Sequence, residues 1–202
     1  MSLLNSNEGK NKIIQVDSNS YARFPIQTHV ITEQDNITDI AQQYADKYIQ
    51  EGDILFISEK ALACSQNRAI PLDRIRPRKL AHILTRFVYK SPYGIGLGIP
   101  ETMEMAFQEC GTLRILFAVF ISLIGKLLGK RGWFYKIAGS RAASIDGPEP
   151  YTLPPYNKCV VLKPARPNDV ALEISQHLGI ACVIVDVNDL GGKILATSDI
   201  SL

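Results

Sequence analysis

The apolar residues of this chain alternate between two spacings, and the switches between them predict its elements. Gln27 to Thr32, with the β-branched Val30 and Ile31 at its centre, is expected as a strand. Ile37, Ile40, Ala41, Tyr44, Ala45, Tyr48 and Ile49 then recur at helical spacing behind a cap at Asp35 or Asn36, and Gly52 is placed to close that helix. Asp53 to Ile57 is a second apolar strand, running into the polar tip Ser58, Glu59 and Lys60. Pro71 and Pro77 interrupt the chain before a helix carrying Leu80, Ile83, Leu84, Phe87 and Val88. Glu101 to Cys110 and Arg114 to Leu128 predict two helices separated by Gly111. Small residues from Arg141 lead to a second acidic tip at Asp146, and Pro148 to Pro155 forms a rigid surface excursion before the strand-like Cys159 to Leu162. Pro167 and Asn168 start a helix with Val170, Ala171, Ile174 and Leu178 on one face, ended by Gly179.

The pattern ends in a strand. Cys182 to Val185 are apolar and mostly β-branched, as in a strand covered on both faces, and the run stops at Asp186, Asn188 and Asp189 before Gly191 and Gly192. Carboxylate and amide oxygens at a strand end are the ligands hard cations prefer, while an ordinary Asn/Asp/Gly turn has the same composition. Strands alternating with helices, without an internal repeat, predict a mixed αβ core, either single or split between two interlocked subdomains. Residues 1–22 are expected to be a flexible tail and 23–202 a single domain.

Composition narrows the function classes. The 202 residues are 46% hydrophobic and 21% charged, an ordinary globular mixture. With 22 basic and 20 acidic residues the net charge is +2, so the total calls for neither nucleic acid nor an anionic membrane, although a local basic patch is compatible with it. Lys126, Lys130 and Arg131 beside Trp133, Phe134 and Tyr135 are too few for a nucleic-acid surface. Ile115 to Gly125 is an uncharged apolar run bounded by Arg114 and Lys126, shorter than the roughly 18 residues of a membrane span, and is expected as a buried helix. Cys64, Cys110, Cys159 and Cys182 lie far apart, as reduced thiols in a cytoplasmic protein do.

The chemistry-bearing residues are mostly carboxylates and cations near strand ends. Asp146 and Asp186 can share one Mg²⁺ or Mn²⁺ if their strands lie side by side, with water and phosphate oxygens completing the shell. Lys60 and Arg68 can neutralise phosphates, or be ordinary surface charges. His29 sits on the first strand, while His82 and His177 fall in helices. The alternating glycines of Ser91 to Pro100 lack the third glycine and the strand-to-helix setting of a dinucleotide loop, so they read as a loop able to close over a ligand.

Three stretches carry a family resemblance: Glu51 to Leu55 leading into Ser58-Glu59-Lys60, Ser144-Ile145-Asp146 followed by Leu153-Pro154-Pro155, and Val185 to Asn188. Together they resemble the coenzyme F420-0:L-glutamate ligase, or γ-glutamyl ligase, family over most of the chain. The resemblance implies an α+β fold with a mixed sheet and flanking helices, an intertwined homodimer and GTP-dependent formation of an amide bond, with an acid activated as an acyl phosphate and attacked by the amino group of L-glutamate or a similar amine. It implies Asp146 and Asp186 as ligands of Mg²⁺ or Mn²⁺. Thr28, His29, Glu59, Lys60, Arg68 and Asn188 are the nucleotide or substrate contacts expected with them. Cys64 stands where the family places a lysine, Val187 where it places a metal-binding threonine, and Glu149 where it places an asparagine. The resemblance also implies a further C-terminal segment with nucleotide and metal contacts. A relative keeping the fold as a small-molecule or protein binding module is the alternative.

Overall fold

The computed structural model describes residues 7–88, 94–130, 132–188 and 191–199. Its fold is α+β. Strands β1 (Ile13–Val16) and β2 (Asn19–Ala22) pair antiparallel as a hairpin that the sequence pattern does not predict. The strand expected over Gln27 to Thr32 is absent: no neighbouring strand pairs with it, and side chains hold the segment instead, Tyr156 Oη donating to the Ile31 carbonyl at 2.6 Å.

Helix α1 (Ile37–Ala45) begins where the Asn36 carboxamide accepts from the backbone N–H groups of Thr38 (2.8 Å) and Asp39 (3.4 Å), satisfying two of the donors left open at a helix start. A short 3₁₀ turn, Asp46–Tyr48, ends it earlier than expected, so Gly52 (φ +87°) shapes the next turn and not the helix cap. Strand β3 (Ile54–Ser58) passes directly into α2 (Glu59–Ser65), and β4 (Ala69–Pro71) and α3 (Lys79–Leu84) follow. Gly111 separates α4 (Pro100–Cys110) from α5 (Thr112–Leu127), as the sequence predicts. Beyond them lie α6 (Trp133–Ala138), α7 (Ser140–Ala143), β5 (Cys159–Val161), α8 (Pro167–Leu178), β6 (Ala181–Asn188) and β7 (Gly191–Thr197).

The central sheet has the order β3-β6-β7. β3 runs parallel to β6, from Ile54 opposite Ala181 to Ser58 opposite Val185, and β7 returns antiparallel with Lys193 opposite Asp186. A parallel pair requires a long crossover, and here the crossover is large enough to build a core of its own. Ile57, Leu62, Ala171, Ile174, Cys182 and Ile184 pack the sheet with α1, α2 and α8. Inside the crossover, Leu97, Met103, Phe107, Ile115, Ala138 and Val160 form the second core, beside the antiparallel β4–β5 pair. Each fully buried Leu or Ile contributes about 1.5–3 kcal/mol, so both clusters hold the molecule together.

Helix α5 departs from expectation. It buries only Ile115, Ala118 and Gly125, and leaves Leu113, Phe117, Phe120 and Leu123 exposed, because its partners α4 and α6 cover one side alone. The Ser91-Pro92-Tyr93 part of the glycine-rich loop lies outside the described residues.

Candidate active site

The parallel register sets the site. Ser58 is the last residue of β3 and stands opposite Val185, so the chain leaves β3 for α2 beside the point where β6 reaches Asp186. Glu59 and Lys60, the first residues of α2, are therefore placed next to the acidic end of the neighbouring strand. Asp146 arrives from the other core. It is bridged to Val161 of β5 by two backbone hydrogen bonds of 2.9 Å, and its carboxylate reaches the Lys60 ammonium at 3.1 Å. Asp146 and Asp186 thus do not extend from adjacent strands of one sheet. They approach α2 from different sheets, and the site lies where the two cores meet.

Glu59 is the centre of this junction. Only 9% of its surface is exposed, and its Oε1 is buried with no hydrogen-bond partner. Burial, with the negative charges of Asp186 and Asp146 adding to it, pushes its carboxyl up from 4.5 to about 7, while Lys163 and Lys193 act in the opposite sense. A buried carboxylate oxygen without a donor is costly, and three carboxylates sharing one neighbourhood repel. Both costs fall when a cation or a proton arrives. Among the described residues no group of three His, Cys, Asp or Glu side chains is arranged to hold a metal ion as the side chains stand, and Asp146 is paired with Lys60.

The remaining residues singled out from the sequence are distributed. Thr28 lines an apolar groove with Ile31, Ile37, Tyr44 and Leu55, which reaches Ser58 and so abuts the junction. His29 is committed elsewhere: its Nε2–H donates to Asp35 at 3.1 Å, leaving Nδ1 to accept from Tyr44 Oη at 2.8 Å. The Thr32 backbone N–H and then His29 hold the Asp35 carboxyl below its usual range. Arg68 is engaged in structure, with Nη2 donating to Glu109 at 2.6 Å and Nε to the Lys163 carbonyl. Asn188 is the last residue of β6, opposite Gly191. Cys64 is a buried thiol pushed up to about 11 by burial, and Val187 is exposed.

Sequence patterning missed the two lysines that act on Glu59. Lys193 was legible in principle: reading Asn188 to Gly192 as the closing end of a hairpin sets Lys193 against Asp186. Lys163 had no such signal, because its proximity depends on how the crossover folds back. Gly147, beside Asp146, is a packing requirement, since a Cβ there would meet Ile95 Cβ at 2.9 Å.

Among described residues no single helix is long and apolar enough to cross a membrane. The family model described as F420-0:Gamma-glutamyl ligase matches residues 25–199. No curated protein matches the chain.

Proposed function

The chain belongs to the F420-0:γ-glutamyl ligase family, and on that premise we propose that it is a divergent, GTP- and metal-dependent ligase that joins an acid substrate to L-glutamate or a similar amine. Membership of the family supports amide-bond formation in general. One observation carries it: the partnerless, buried Oε1 of Glu59, facing the charges of Asp146 and Asp186. An all-oxygen, all-anionic donor set suits Mg²⁺ or Mn²⁺. Glu59, Asp146 and Asp186 would hold the ion, which when bound spreads the charge of a transferring phosphoryl group.

The chain's own residues do the rest by position. Lys60 is the ammonium at the site and is half exposed, so it can serve phosphate oxygens as it now serves Asp146. Lys163 and Lys193 limit the negative potential around Glu59. The groove from Thr28 to Ser58 offers apolar surface for the organic part of a substrate. In the balanced reaction the substrate carboxylate takes the γ-phosphoryl group and GDP leaves. The amine then attacks the acyl carbon, phosphate departs, and the amine loses a proton. The homodimer and the small-molecule substrates implied for the family belong to the same proposal.

A second reading, a family relative that binds a metabolite or protein without catalysis, is favoured by two residues. Arg68 is tied to Glu109, and Cys64 is a buried neutral thiol where the family carries a cation. Thermal-shift titration separates the two. GTP with Mn²⁺ at about a hundred times Kd stabilises the fold by about 2.7 kcal/mol, a rise of about 5–10 °C for a chain of this size. Asp186→Asn should remove the metal-dependent part of that rise. No shift with GTP or ATP, with or without metal, rejects the ligase.

A further inference from the structure

The exposed side of α5 is an apolar stripe. Leu113, Leu116, Phe117, Phe120, Leu123 and Leu127 are between 36% and 87% exposed. At about 3.6 residues per turn they fall within an arc of roughly 120°, on the side away from buried Ile115, Ala118 and Gly125. A continuous apolar strip of this kind marks a contact surface. Its charge surroundings identify the partner. From Gly111 to Ile145 the sequence holds six basic residues and no Asp or Glu, leaving 16 basic against 20 acidic residues elsewhere, a net of −4. The chain's total of +2 conceals this separation. Arg114, Lys126, Lys130 and Lys136 are exposed, and Arg114 and Lys126 flank the stripe on its two sides. The ammonium of Lys130 lies 5.8 Å from the centre of the Trp133 ring, an aromatic and cation pairing suited to a lipid–water boundary.

We propose that α5 seats the protein on an anionic lipid surface, with the stripe entering the boundary between headgroups and acyl chains and the flanking cations resting on lipid phosphates or carboxylates. The helix lies flat. It has 16 residues, and the preceding α4, which turns away by 114°, is packed into the second core. A second copy is a poorer occupant. Packed stripe against stripe about a two-fold axis, two copies would bring together two sets of cations with no acidic residue to meet them. The proposal does not rest on the ligase reading.

Co-sedimentation of the full chain with vesicles tests it. Binding to phosphatidylcholine vesicles containing about 30% phosphatidylserine should exceed binding to pure phosphatidylcholine at least tenfold, and about 0.5 M salt should weaken it. Phe120→Asp should reduce binding at least tenfold, whereas Leu172→Asp, an equally accessible change on α8, should leave it intact; circular dichroism checks that both variants fold. Equal binding to neutral vesicles, no binding to either, or undiminished binding of Phe120→Asp overturns the proposal. A dimer that Phe120→Asp converts to monomer, without vesicle binding, assigns the stripe to a second copy instead.

Discussion

Replacing Glu59 by Gln keeps the side chain's size and removes the charge that the junction resists. The Glu59 carboxyl is raised from 4.5 to about 7 by burial and by Asp186 and Asp146. At about 1.4 kcal/mol per pH unit, ionising it in the folded chain costs about 3 kcal/mol more than in the unfolded chain. Because the folded state holds this proton more tightly, its contribution to stability is fully present below about pH 4.5. It declines as pH rises and is lost once pH passes about 7. Gln cannot titrate, so this component of the pH dependence vanishes in Glu59→Gln. Urea unfolding followed by circular dichroism at pH 5, 7 and 8.5 measures it without a ligand. The variant should match the wild type near pH 5 to within about 1 kcal/mol and exceed it by up to about 3 kcal/mol at pH 8.5. Parallel pH profiles for the two proteins would refute the claim that Glu59 is a strained, buried carboxyl, and with it the reason given for a cation there.

Three further changes probe other parts of the account. Arg78→Ala strands Glu104, which is almost wholly buried and accepts from the Arg78 guanidinium at 2.7–3.1 Å and from its backbone N–H at 3.0 Å. Burial opposes the Glu104 charge, but the Arg78 hydrogen bonds prevail and hold its carboxyl below the usual value. The variant should unfold at a lower urea concentration, and the wild type should lose this contribution as pH falls below about 4.5. Gly125→Ala puts a methyl 3.0 Å from Trp133 Cδ2 and should cost about 1–3 kcal/mol with a shift in the tryptophan emission maximum. Lys60→Met should change stability by less than about 1 kcal/mol, because the pair with Asp146 is half exposed, yet lower GTP affinity about tenfold in equilibrium titration.

The sequence discloses elements more fully than their meetings. Asn36, Pro167 and Gly179 mark helix ends by local chemistry, and the structure places α1 and α8 accordingly. The polar tip after β3 was legible as a strand end, whereas β6 runs on through Asp186 to Asn188 because β7 pairs with it, and the parallel pairing of β3 with β6 explains why Glu59 faces Asp186. That Asp146 comes from the other sheet was not legible, since the approach of two cores depends on contacts far apart in the chain. Gln27 to Thr32 shows the limit of local pattern: β-branched residues permit a strand, but a strand also needs a neighbour with free backbone groups. The apolar run of α5 failed for the converse reason, because hydrophobicity records what a helix can bury and not whether this chain supplies the cover.

Glu59, Asp146 and Asp186 are proposed to hold one divalent cation together. Electron paramagnetic resonance of Mn²⁺ titrated into the protein with GTP measures this directly. The wild type should take up Mn²⁺, with binding weakened at least tenfold in each of Glu59→Gln, Asp146→Asn and Asp186→Asn. Uptake that is unchanged in all three variants, or no uptake by the folded wild type, would contradict it.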